Sequence, residues 1–146
     1  MTHQNTVLTE YIDDIAVIRL HRPAAMNAVN ASLRTALTDV LYALEANDTI
    51  RAVVLTGSGE RAFCAGQDLE EAGTINTSNL ADWLNRQHAM YQAVRDMSKP
   101  MVAALNATAV GAGFQMALMC DLRIAHPALR MGQPEVRAGL ASIVGS

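Results

Sequence analysis

Cysteine, charge and long apolar runs are all scarce in this chain, and each scarcity excludes something. The two cysteines, Cys64 and Cys120, sit in apolar surroundings without Cys-x-x-Cys spacing, and His3, His21, His88 and His126 are scattered without ligand spacing. Buried thiols are therefore expected, and no metal centre. Charged residues are 17% of the 146, the net charge is −3, and Lys and Arg form no runs, so neither nucleic acid nor an anionic membrane surface is an expected partner. No apolar stretch approaches the roughly 20 residues of a membrane span, and no positively charged leader precedes a hydrophobic segment. A soluble, cytoplasmic protein is the expectation.

What is present suits a globular fold. Hydrophobic residues make up 51% of the chain, and a domain of this length buries nearly 70% (roughly) of its extended-chain surface. Residues 1–146 read as one domain, with no internal repeat, low-complexity stretch or linker.

The pattern alternates strands with helices. Val7 to Tyr11 and Ile15 to Leu20 are β-rich and read as a hairpin that ends at His21-Arg22-Pro23. Asn30 is a good N-cap for a helix whose apolar face carries Leu33, Leu37, Val40, Leu41 and Leu44. Ala52 to Leu55 is a short strand. Asn79 caps a second long helix with the stripe Leu80, Trp83, Leu84, Tyr91, Val94 and Met97, stopped by Ser98-Lys99-Pro100, and on that stripe Trp83 reads as core. Met101 to Leu105 is a strand, Phe114 to Cys120 a short helix and Leu122 to Ala125 a strand, with Gly73 to Ser78 as the most loop-like interior stretch. The whole predicts an α/β layer structure.

Three motifs carry the chemistry: Phe63 to Leu69 (FCAGQDL), Asn106 to Asp121 (NATAVGAGFQMALMCD) and Gly132 to Glu135 (GQPE). The glycines of Gly111-Ala112-Gly113 permit a tight turn into a helix whose first N–H groups lack partners, which suits a developing oxyanion, or they serve close packing of helix on strand. Asp68 is an N-cap, a turn residue or part of a site. Glu135 follows Pro134, so it is either a carboxylate in the first turn of a helix or a base.

Taken in order, these segments resemble the crotonase family, the enoyl-CoA hydratase/isomerase superfamily, across essentially the whole chain. Arg22 to Val29 (RPAAMNAV) resembles its RPxxxNA segment, FCAGQDL its CAGxDL loop, and VGAGFQMALMCD its glycine turn and helix. The resemblance implies a crotonase-like spiral of ββα units, acyl-CoA thioester substrates, no permanently bound cofactor beyond the coenzyme A carried by the substrate, and homo-oligomers that are trimers or dimers of trimers. It also implies an oxyanion hole from the N–H groups of Gln67 and Ala112, thioester-binding positions at Ala24, Ala25, Met26, Ala65, Asp68, Leu69 and Gly111, and Glu135 as the acid/base.

Two departures qualify it. Family hydratases carry a second glutamate in the helix after the glycine turn, where this chain has Gln115, and an amide cannot exchange a proton as a carboxylate does. One carboxylate suffices for a 1,3-proton shuttle, so isomerisation of an unsaturated acyl-CoA is expected ahead of hydration. The family's helical C-terminal part, which helps close the acyl pocket and build trimers, is expected to be mostly missing by Ser146, which predicts exposed apolar faces. Two other readings stand beside the enzyme: a truncated module that keeps the thioester fold without turnover, and an α/β domain whose glycines serve packing only.

Overall fold

A computed structural model describes residues 5–138. Strands β1 (Val7–Ile12) and β2 (Ile15–Leu20) form the expected antiparallel hairpin, with Ile12 still paired to Ile15 and the turn shortened to Asp13-Asp14. Asp13 takes φ 54° there, a conformation aspartate tolerates better than most residues. Strands β3 (Ala52–Gly57), β5 (Met101–Leu105) and β7 (Leu122–Ala125) join β2 in parallel to give one five-stranded sheet, ordered β1-β2-β3-β5-β7. A second, three-stranded parallel sheet holds β4 (Ala62–Cys64), β6 (Thr108–Val110) and β8 (Met131–Gly132).

The chain visits these two sheets in turn. It runs β3 to β4 and then into α2 (Leu69–Ala72) and α3 (Leu80–Arg95). It runs β5 to β6 and then into α4 (Ala112–Met119), and β7 to β8 and then into a 3-10 turn, Pro134–Ala138. This is the ββα spiral expected from the resemblance, a repetition of backbone path rather than of residues. Helix α1 (Ala31–Glu45) follows β2, and its cap is the expected one: Asn30 accepts the Leu33 N–H at 3.0 Å.

Leu33, Leu37, Leu41 and Leu44 of α1 pack with Ile18 and Leu20 of β2, Val53 and Leu55 of β3, and Met90 and Val94 of α3 in one buried core. Each large side chain removed from water here contributes about 1.5–3 kcal/mol. The β4, β6 and β8 strands and α2 were too short to register as periodic runs in the sequence, and they are the elements that carry the motifs. Leu118, Leu122, Ile124 and Met131 are exposed. Among the described residues, no helix is long and apolar enough to cross a membrane.

Helix α3 departs from the expected stripe. Its buried residues are Gln87, Met90, Tyr91, Ala93 and Val94, whereas Leu80 is exposed and Trp83 only half-buried. Asn79 starts the helix, but its side chain accepts from the Asn76 N–H instead of capping the first turn. The reason lies in what α3 faces: residues 83, 87 and 91, four apart, point to polar neighbours as well as to the core.

Candidate functional site

The RPAAMNAV segment is a clip for the loop that follows β4. Asn27, fully buried with φ 55°, accepts the Arg22 N–H and donates to the carbonyls of Ser58 and Ala62. Ala65 N–H then donates to Met26 O at 3.0 Å, Val29 N–H to Gly66 O at 2.8 Å, and Asp68 N–H to Val29 O at 2.9 Å. The loop is thus pinned on both sides of Gln67, whose own N–H has no backbone partner among the described residues.

Asp68 is the N-cap of α2: its Oδ1 accepts from Glu70 N–H and Glu71 N–H, and its Oδ2 accepts from Arg22 Nη1 at 2.8 Å. The Arg22 hydrogen bond, against the opposing effect of burial, holds its carboxyl below the usual carboxylate value, with the Glu71 and Glu70 N–H groups adding to it.

The second loop arrives from β6. Gly111 caps α4 with φ 54°, and a Cβ built there would lie 2.6 Å from Glu135 Oε1 and 3.4 Å from Gly66 Cα. A side chain is thus disfavoured there both by the left-handed backbone and by the Glu135 carboxylate, and the position brings three motifs to one point. Gly113 has a different task, since a Cβ there would run into the carbonyl of Cys64; it lets α4 sit directly on β4. The packing reading of the motif holds at Gly113, while Gly111 is the glycine that faces Glu135. Ala112, the first residue of α4, is buried, and its N–H has no backbone partner among the described residues.

A cavity of about 360 Å³ opens at this junction. Ala65, Gln67, Leu69, Gly111, Ala112, Gln115 and Glu135 all line it, joined by Trp83 and Tyr91 of α3. Ala24 and Ala25 do not; they lie in a 3-10 turn beside a separate cavity of about 420 Å³. Met26 takes a left-handed conformation and meets the site loop through its carbonyl, and the Asp68 side chain lines a third, polar cavity with Arg22 and Arg34. Leu69 is 83% exposed at the mouth.

Among the described residues that line the cavity, Glu135 is the one carboxylate, set among apolar side chains and the amides of Gln67 and Gln115. Among the described residues, Glu135 Oε2 is buried without a hydrogen-bond partner, and no Lys, Arg or His lines the cavity. Burial, then the nearby Cys64 and Glu135, push the Tyr91 phenol above its ordinary value, so Tyr91 stays neutral. Burial likewise raises the Cys64 thiol to about 12, which leaves it protonated and inert. Among the described residues, no group of His, Cys, Asp and Glu is arranged to hold a metal ion.

Sequence reading missed Gln87 and misjudged Trp83. Gln87, fully buried, donates through Nε2 to Gln67 Oε1. Trp83 Nε1 donates to Glu71 Oε1 at 3.2 Å, and the same Glu71 oxygen accepts from Arg34 Nη2 at 2.6 Å, an almost fully buried ion pair tying α1, α2 and α3 together. The signal was the i, i+4, i+8 spacing of Trp83, Gln87 and Tyr91, which places an amide in the middle of an aromatic stripe.

The enoyl-CoA hydratase/isomerase family model matches residues 10–146. Carboxymethylproline synthase of Pectobacterium carotovorum is 37% identical over 96% of this chain and 56% of its own length. The short-chain-enoyl-CoA hydratase of Clostridium acetobutylicum is 35% identical over 93% of the chain and 52% of its own. A crystal structure of enoyl-CoA hydratase from Bacillus anthracis superposes with a TM-score of 0.89 at 29% identity, over 94% of this chain and 54% of that one. The chain thus spans about half the length of the relatives it matches.

Proposed function

We propose, on the premise that this chain belongs to the enoyl-CoA hydratase/isomerase family, that it carries the proton-transfer half of an acyl-CoA isomerase site. The thioester carbonyl would accept from the N–H groups of Gln67 and Ala112, and Glu135 would move the proton. The observation that carries this reading is the Glu135 carboxylate set against the Gly111 turn, in one cavity with Gln67 and Ala112.

The chemistry follows from those parts. Loss of a proton from the carbon next to the carbonyl leaves a pair of electrons that moves onto the carbonyl oxygen, and two fixed N–H donors stabilise that charge where it develops. One such donor is worth about 3–4 kcal/mol. In a 3-enoyl thioester, Glu135 takes the proton from C2, exchanges it in part with solvent while the dienolate persists, and returns a proton to C4 as the double bond shifts. Nothing is gained or lost, so one carboxylate is enough. Gln115, buried in the cavity wall, contributes polarity without basicity.

Hydration is the second reading, supported by relatives that bear the name enoyl-CoA hydratase. It requires water to be held and deprotonated with Gln115 standing where those hydratases are expected to carry a glutamate. The only cofactor in either reading is the coenzyme A of the substrate. The exposed Leu118, Leu122 and Ile124 support self-association, with a trimer or dimer of trimers as the proposed assembly.

Incubating the protein with 3-enoyl-CoA and 2-enoyl-CoA in deuterated water and weighing the thioesters tests both readings. Double-bond migration or deuterium uptake without added water is the isomerase outcome, and gain of one water is the hydratase outcome. Two unchanged thioesters would point to a thioester-binding module without turnover.

A further inference from the structure

The wall of the cavity opposite the glycine turns is α3, and its contribution there is a hydroxyl. Tyr91 is 3% exposed, so almost all of its ring is packed in the core. Its phenol oxygen makes no hydrogen bond with any described residue, yet it is absent from the polar atoms sealed away from solvent, and Tyr91 lines the cavity. The open part of this side chain is therefore the O–H, and it opens into the space that Glu135 and Ala112 share. A buried phenol usually finds a partner, because leaving one unmade costs much of the desolvation of the group.

We propose that Tyr91 is a substrate-contacting residue whose O–H donates a hydrogen bond to a neutral oxygen, a hydroxyl or keto group, carried by the acyl chain beyond the thioester carbonyl. The cavity thereby selects oxygenated acyl groups over plain hydrocarbon ones. The inference rests on the acyl-thioester reading above and adds to it the class of acyl group.

The surroundings restrict the oxygen to a neutral one. Glu135 already brings a carboxylate with an unpartnered oxygen, and among the described residues the lining has no cation to offset a second negative charge. Leu69, Ala72 and Ala65 offer apolar side-chain surface, the Trp83 indole N–H is already given to Glu71, and the amides of Gln67 and Gln115, which also line the cavity, are neutral groups as well. A phenol kept neutral by its environment cannot act as a base at ordinary pH but remains a donor. Tyr91 is held in place from its own helix: Gln87, one turn earlier, is itself fixed by Gln67 of the site loop.

Binding tests this without relying on turnover. Trp83 is the only tryptophan in the chain and lines the cavity, so its fluorescence reports occupancy. The probes are hexanoyl-CoA and its 3-, 4-, 5- and 6-hydroxy derivatives. At least one hydroxylated probe is expected to bind about tenfold more tightly than hexanoyl-CoA, the effect of one hydrogen bond to an otherwise unpaired group. Tyr91→Phe, which keeps the ring and its packing, is expected to erase that advantage while changing the hexanoyl-CoA Kd less than about twofold. A wild-type protein that prefers none of the hydroxylated probes overturns the inference, and so does a Tyr91→Phe variant that weakens all five probes alike. If none of the five binds, the acyl-thioester reading falls together with it, whereas tight but indifferent binding removes this inference alone.

Discussion

Replacing Gly111 by alanine would put a methyl carbon 2.6 Å from Glu135 Oε1 and 3.4 Å from Gly66 Cα, on a backbone with φ 54°. Two separate costs follow. The backbone conformation is one that residues with a Cβ adopt at about 1–3 kcal/mol, which for a chain of this size lowers Tm by about 3–10 °C. The carboxylate, being the end of a flexible side chain, gives way first, and restoring an ordinary contact requires it to retreat by about 0.8 Å, given the 2.6 Å approach. A displacement near 1 Å at a reacting group lowers rate by about a hundredfold. The two costs are measured apart, by thermal unfolding and by the rate at which deuterium enters the acyl chain of a bound thioester per folded molecule. A folded Gly111→Ala protein that exchanges at the wild-type rate would show that Glu135 does not work from the position described, and the proton-transfer proposal would have to be abandoned.

Glu135→Gln keeps shape and removes basicity, so isotope exchange should disappear while thioester affinity stays within a few-fold, and undiminished exchange in this variant would refute the base assignment. Ala112→Pro deletes one N–H donor at the first residue of α4, where proline is otherwise tolerated, and should be inactive at a cost of about 3–4 kcal/mol in the barrier; retained turnover would take Ala112 out of the oxyanion hole. Asp68→Ala should lose about 1 kcal/mol with the α2 cap, and the loss is pH-dependent. Because the folded Asp68 pKa is depressed, its contribution is fully present above the unfolded carboxyl value of about 4 and vanishes as pH falls through the lower folded value. Denaturation midpoints of wild type and variant should therefore differ at pH 7 and converge in strong acid, and a gap that persists there would contradict the account.

Periodicity and punctuation were enough to predict the hairpin β1–β2, the helix α1 with its Asn30 cap, and the strands β3, β5 and β7, because each is set by local preference and a repeating apolar face. Gln67, Ala112, Glu135 and their neighbours were picked out instead by the ordered motifs and the family resemblance they carry, and the cavity collects most of them. What they could not convey is distance. Residues 66, 111 and 135 lie far apart in sequence, and only the passage of the backbone between two sheets makes Gly66, Gly111 and Glu135 neighbours. Ala24 and Ala25, thioester-binding positions by resemblance, lie in a 3-10 turn beside a separate cavity, a placement the sequence did not convey.

The helix α3 marks the boundary most clearly. Its sequence determines that a helix forms, since one stripe of side chains repeats with the turn. Whether a member of that stripe meets apolar core, a buried amide or an open cavity depends on which element packs against that turn, and this is a property of the tertiary arrangement. Gln87 is buried because Gln67 waits opposite it, and Tyr91 keeps an unpaired hydroxyl because the space beyond its ring is left open by two loops that end in glycine turns.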